Sequence, residues 1–122
     1  MGECLGWDEA KYRLILEQLP DMVLLHVDGD IIFANAATKC ITGYEPAEVI
    51  GKNVFDMMPD QEQRIMVRDI NTRRTRGERV PDTYELDIRS KSGAPLHVEV
   101  RAMRIDYEGR DARLVIITDL TA

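Results

Sequence analysis

The sequence predicts an α+β domain, an antiparallel sheet with helices gathered over one of its faces. Three observations predict it. Two apolar runs separated by Asp28-Gly29-Asp30 read as a hairpin, a block of short helical segments follows with no strand between them, and the last third alternates apolar and charged residues with period two. Strands and helices kept apart along a chain in this way pack as a sheet with helices on one face, not as repeated βαβ units.

The first element is an amphipathic helix over residues 8–19. Tyr12, Ile15, Leu16 and Leu19 recur at i, i+3, i+4 and i+7, one apolar stripe, while Glu9, Lys11, Arg13 and Glu17 lie largely off it. Asp8 can cap its start, and Pro20 ends it, because the residue before a proline is pushed out of the α region. An apolar run over 22–27 then meets the Asp-Gly turn, where glycine tolerates the positive φ that a tight hairpin needs. The second run, 31–34, ends on Asn35, a residue suited to capping the helix expected over 36–42, which Gly43 stops. Pro46 at a first turn and Gly51 as terminator bound a second helix. Residues 54–58 make at most one turn. Asp60 is expected to cap a longer helix reaching about residue 76, with Gln63 completing a capping box and Gly77 as the stop.

The strands of the last third are half-buried. Over 84–89 and again over 96–101, apolar residues alternate strictly with charged ones, so one face is covered and the other wet. Lys91-Ser92-Gly93 and Glu108-Gly109 are the turns. The final strand, 114–120, is apolar on both faces: Leu114, Ile116 and Leu120 on one, Val115 and Ile117 on the other. A strand of that kind is covered on both sides. The expectation is that Ile116 faces the helices and that Val115 and Ile117, with Met103 and Ile105 nearby, form an apolar strip on the opposite face. Such a strip marks an interface or needs a lid, and the stripe of the N-terminal helix suits either.

At 122 residues the chain makes one domain, and 44% apolar with 31% charged residues is the balance of an ordinary globule. A net charge of −6 opposes association with nucleic acid or anionic lipid. Arg73, Arg74, Arg76 and Arg79 are the local exception, and they read as cations complementing a helix C-terminus. No apolar run approaches the ~20 residues that span a bilayer, and no leader is visible. Cys4 and Cys40 lack metal-ligand spacing, which suits a reduced, cytoplasmic setting. No catalytic triad pattern, phosphate-cradling glycine loop or metal-binding cluster occurs, so no enzyme is expected and no catalytic or metal site is assigned. Of the two histidines, His26 reads as a partly exposed strand residue and His97 as a surface one.

The ordered set of hairpin, Asn35, Gly43-Tyr44, Gly51-Lys52 and a closing Asp119-Leu120-Thr121 resembles a PAS domain, a sensory module of signalling proteins, over residues 14–121. The resemblance implies a five-stranded antiparallel sheet in the order 2-1-5-4-3, with residues 1–19 as a capping or dimerisation helix and 20–122 as the domain proper. It implies a homodimer that relays a signal to a covalently linked effector, such as the histidine kinase of a two-component system. The candidate dimer contacts are Tyr12, Ile15, Leu16, Leu19, Val115 and Ile117, and Asp119 and Thr121 are the signal exit. Between sheet and helices such a fold places a cavity, which here would draw on Tyr44, Phe55, Met58, Ile65, Ile70, Leu86, Ile88, Val98, Val100 and Ile116. That set suits a filled core or a small apolar ligand, and no interior polar group is evident to orient one. No cofactor is expected. The light-sensing branch of the family needs a cysteine in Gly-x-Asn-Cys-Arg-Phe-Leu-Gln, where this chain has Gly51-Lys52-Asn53-Val54-Phe55-Asp56-Met57-Met58. The histidine that usually holds haem on the long helix is missing too. A haem or flavin sensor and a small cone-shaped α+β enzyme are the alternatives, neither favoured. PAS-containing proteins usually continue past this signature, so the chain is expected to be a module excised from a larger protein.

Overall fold

Asp28 and Gly29 both take left-handed backbone, with φ of 51° and 92°, and so close a tight hairpin between β1 (Met22–Val27) and β2 (Asp30–Ala34). A side chain at Gly29 would not fit, because its Cβ would lie 2.7 Å from the Phe55 ring and from the Asn53 amide. Glu108 and Gly109 make the same kind of turn, with φ of 51° and 80°, between β4 (Pro95–Tyr107) and β5 (Arg110–Asp119). These two hairpins and β3 (Thr83–Arg89) form one antiparallel sheet in the order β2-β1-β5-β4-β3. The closing strand therefore runs through the centre, beside the opening one, as its two-sided apolar character requires. The structure, a computed structural model, describes residues 14–58 and 60–120. Residues 14–17 are helical, whereas the start of the expected 8–19 helix, Tyr12 and Thr121 lie outside the described residues.

Between β2 and β3 come α1 (Ala37–Thr42), α2 (Pro46–Val49), a 3₁₀ turn (Val54–Met57) and α3 (Gln61–Thr75). Gly43 ends α1 in left-handed conformation, its N–H on the Lys39 carbonyl. The Glu48 carboxylate accepts from the Glu45 N–H at the start of α2 and from the Lys91 ammonium at 2.8 Å, fastening the β3–β4 turn to the helical layer. Asp60 caps α3 as expected, accepting from the Glu62 N–H at 3.0 Å.

Four expectations need correction. Asn35 does not cap α1. It is fully buried, its Oδ1 accepts from the Val23 N–H, and its Nδ2 donates to the carbonyls of Leu16 and Asp21. A buried amide finds three backbone partners there, which satisfies it better than one helix N–H would. Gln63 forms no capping box. Its Oε1 accepts from the Asp87 N–H at 2.7 Å, so the side chain engages the backbone of the edge strand β3. The last hairpin is longer than expected, with β5 beginning at Arg110.

The fourth correction concerns the two faces of β5. Val100 pairs with Ile117 and Ala102 with Val115, so Val115 and Ile117 point into the core under the helices, and each is only 5% exposed. Ile116 pairs with Val23 and Arg101 on the opposite face and is half-buried. The core joins the inner residues of all five strands to Val49, Phe55, Met58 and Val67 of the helical layer.

Candidate functional site: a core cavity with a polar end

β1 alternates inward at Met22, Leu24 and His26, so the histidine follows two core residues onto the concave face. It is 5% exposed, not the partly exposed strand residue expected from the sequence. Its Nδ1 accepts from the Gly29 N–H at 3.1 Å, so the neutral ring carries its proton on Nε2. Phe55 meets that ring edge-on, with centroids 6.0 Å apart. Burial, with the charge of Arg113 behind it, pushes the His26 pKa down to about 4, while Asp28 and Asp30 pull weakly the other way.

Arg113 enters the same space from β5. It is 4% exposed, and α3 holds it: Nε donates to the Asn71 Oδ1 at 2.9 Å and a terminal nitrogen to the Thr75 hydroxyl at 2.6 Å. Its other terminal nitrogen donates to Asp111 and to the Ala112 carbonyl. A buried guanidinium is tolerated because its donors are engaged and a carboxylate stands beside it. Arg74 closes the same end, donating to the Pro81 carbonyl at 2.9 Å. Burial raises the Tyr84 phenol above its ordinary range, against the opposing charge of Arg74.

These groups bound one end of a cavity of about 60 Å³, whose remaining wall is apolar. That space suits a few waters or a ligand of very few atoms, and it is well below the ~300 Å³ at which drug-sized pockets begin. Among the described residues no cluster of His, Cys, Asp or Glu could hold a metal ion. The cavity thus has a polar end, at His26, Asn71, Arg74 and Arg113, and hydrocarbon elsewhere.

Of the ten residues expected to line the cavity, Phe55, Met58, Ile70, Leu86, Ile88 and Val100 do so. Val98 is fully buried in the adjoining core, Tyr44 and Met58 line a separate surface groove, and Ile65 is 61% exposed on α3. Ile116 lies on the other face of the sheet, and Val115 and Ile117 take its place in the wall. Sequence reasoning misses the polar end because His26, Asn71, Arg74 and Arg113 each look like surface residues when only side-chain polarity is read.

Of the expected dimer contacts, Val115 and Ile117 are core residues and unavailable. Ile15 and Leu19 are exposed, and Leu16 is half-buried. The outer sheet face carries Leu114, Ile116 and Ile105, half-buried, and the exposed Met103. Asp119 pairs with Val98 at the end of the sheet. His97, outside the core, holds Glu85 at 2.6 Å and Asp87 at 2.9 Å through its two ring nitrogens. No described helix is long and apolar enough to cross a membrane.

Comparison with known proteins agrees with this architecture. The family profile described as PAS domain matches residues 20–122. Sporulation kinase A of Bacillus subtilis (strain 168) is 26% identical over 112 residues, covering 91% of this chain but 18% of that protein, so the chain spans less than a fifth of its relative. Among solved structures, a PAS domain from Desulfitobacterium hafniense superposes with a TM-score of 0.76 at 20% identity, over 88% of this chain and 99% of that one. The PAS domain of an HTR-like protein from Haloarcula marismortui does so with a TM-score of 0.71 at 26% identity, over 92% and 96% of the two chains. A profile match across most of the chain, joined to the strand order and the concave cavity, settles the family: the chain belongs to the PAS domains, sensory modules homologous to domains of kinases and other signalling proteins.

Proposed function

We propose that this domain binds a small, largely apolar molecule in its core cavity and passes the resulting change to a covalently linked effector such as a histidine kinase. The carrying observation is that one strand serves both purposes. β5 supplies Arg113, Val115 and Ile117 to the cavity wall and ends at Asp119, where the chain leaves the sheet. A shift of that strand on ligand entry moves its exit, because its neighbours on both sides share its hydrogen bonds. The relationship to a region of sporulation kinase A supports a linked kinase, and the small share of that protein covered supports a module taken from a longer chain. The charge of −6 supports a module that contacts neither nucleic acid nor anionic membrane, and the relationship to a kinase region supports a cytoplasmic one.

Dimerisation through the N-terminal helix, with residues 1–19 as the capping or dimerisation helix and 20–122 as the PAS domain, completes the proposal. Its support is the exposed apolar surface at Leu14, Ile15 and Leu19. Within the full-length protein, Asp119→Ala is expected to alter kinase output while the domain melts as a folded unit. Unchanged output from a folded variant would refute the coupling.

A further inference from the structure

We propose that the surface groove beside the core cavity is its entrance, and that the ligand admitted is a short amphiphilic carboxylate. Its anionic head would rest on Lys52, Arg64 and Arg89, and its tail would pass Met57 and Met58 into the core. The proposal rests on the reading of the cavity as a ligand site. The groove is about 470 Å³, far larger than the space behind it, and Met57 and Met58 line both. Unbranched thioether side chains turn aside more readily than branched or aromatic ones, so the partition is made of the residues best able to move.

The charge of the groove is opposite to that of the chain. Among the described residues three cations line it against one carboxylate, Asp56, in a protein whose net charge is −6. Lys52 is held with its ammonium over the Tyr44 ring at 5.1 Å, and Arg64 is anchored by its Nε on the Met58 carbonyl at 2.8 Å. Among the described residues neither Lys52 nor Arg89 has an ion-pair partner, so both charges are free to receive an anion. A head group on this rim stands next to the methionines, and the wall beyond them is apolar. The small inner volume limits the tail to a few carbons, which selects a short chain over a long one.

The test compares sodium hexanoate with 1-hexanol, which share a tail and differ in head, by calorimetric and NMR titration of the 122-residue chain. Hexanoate is expected to bind about tenfold more tightly than hexanol, the effect of a charge-assisted contact. The double variant Lys52→Gln/Arg89→Gln should erase that advantage and leave hexanol binding unchanged. Amide shifts should reach Val115 and Ile117 as well as the groove. Equal affinity for the two probes overturns the role of the cations while the core-ligand reading stands. Hexanoate shifts confined to the groove overturn the entrance. Failure of both probes to bind overturns both readings.

Discussion

The ring of His26 lies in the interior as a neutral group, which makes the fold sensitive to acid. Its pKa is lowered, so native protein resists the proton that the unfolded chain takes up near pH 6.5, and stability present above that pH is lost as pH falls toward about 4. The loss approaches about 3 kcal/mol at the lower end, because each tenfold weakening of proton affinity is worth about 1.4 kcal/mol. His97 acts with the opposite sign, since Asp87 and Glu85 raise its pKa. Its contribution is complete below pH 6.5 and lost as pH rises through the folded value. Urea unfolding from pH 4 to 9 should therefore give maximal stability near pH 6.5. His26→Gln should flatten the acid limb and His97→Asn the alkaline one. Asn35 offers a second check at this scale. Asn35→Ala leaves the Val23 N–H without its side-chain acceptor and takes a donor from the Asp21 and Leu16 carbonyls, of which Leu16 keeps the Leu19 N–H, and should cost about 2–4 kcal/mol in the same assay. Neither residue was legible by type. His26 sits in a run apolar at nearly every position, where no alternation marks its direction, and Asn35 occupies a position where helix capping is the commoner use of an asparagine.

Among the elements, β5 separates what patterning reveals from what pairing reveals. A strand apolar on both sides gives no sign of which side faces the helices, and the one inward cation, Arg113, reads as a surface residue. Yet the answer was present in the chain. Counting pairs back from the two-residue turn at Glu108-Gly109 brings Ile117 opposite Val100, whose inward direction the alternation of β4 already fixes. The helical layer and the remaining strands were readable because each carried its own stop or start: Gly43, Pro46, Gly51, Asp60 and Gly77. The corrected faces make a direct prediction. Ile117→Ala should destabilise the domain by about 2–4 kcal/mol, as large-to-small changes in packed cores do. Ile116→Ala, on the half-buried face, should cost less than half as much, and denaturant midpoints would compare the two.

For the molecule as a whole, strand order was legible because the sequence of elements leaves few ways to fold, whereas the cavity was not, since its polar groups converge from β1, α3, β3 and β5. Assembly is tested at this scale. Ile15→Asp with Leu19→Asp should convert a dimer to monomer in native mass spectrometry without lowering the melting temperature, because both side chains are exposed in the single chain. A wild-type chain that flies only as monomer would remove dimerisation from the proposal.

Both margins of the sheet are occupied from within the chain. Along β2, Ile31 exchanges hydrogen bonds with Gly51 and Lys52, and along β3 the amide of Gln63 meets Asp87 as a neighbouring strand would. An open strand edge invites a foreign strand to zip on, and here both such invitations are withdrawn at those points. Copies of this module are consequently steered away from growing into ribbons, even where they are crowded together. Where those margins are covered, joining is left to the broad faces and the helices.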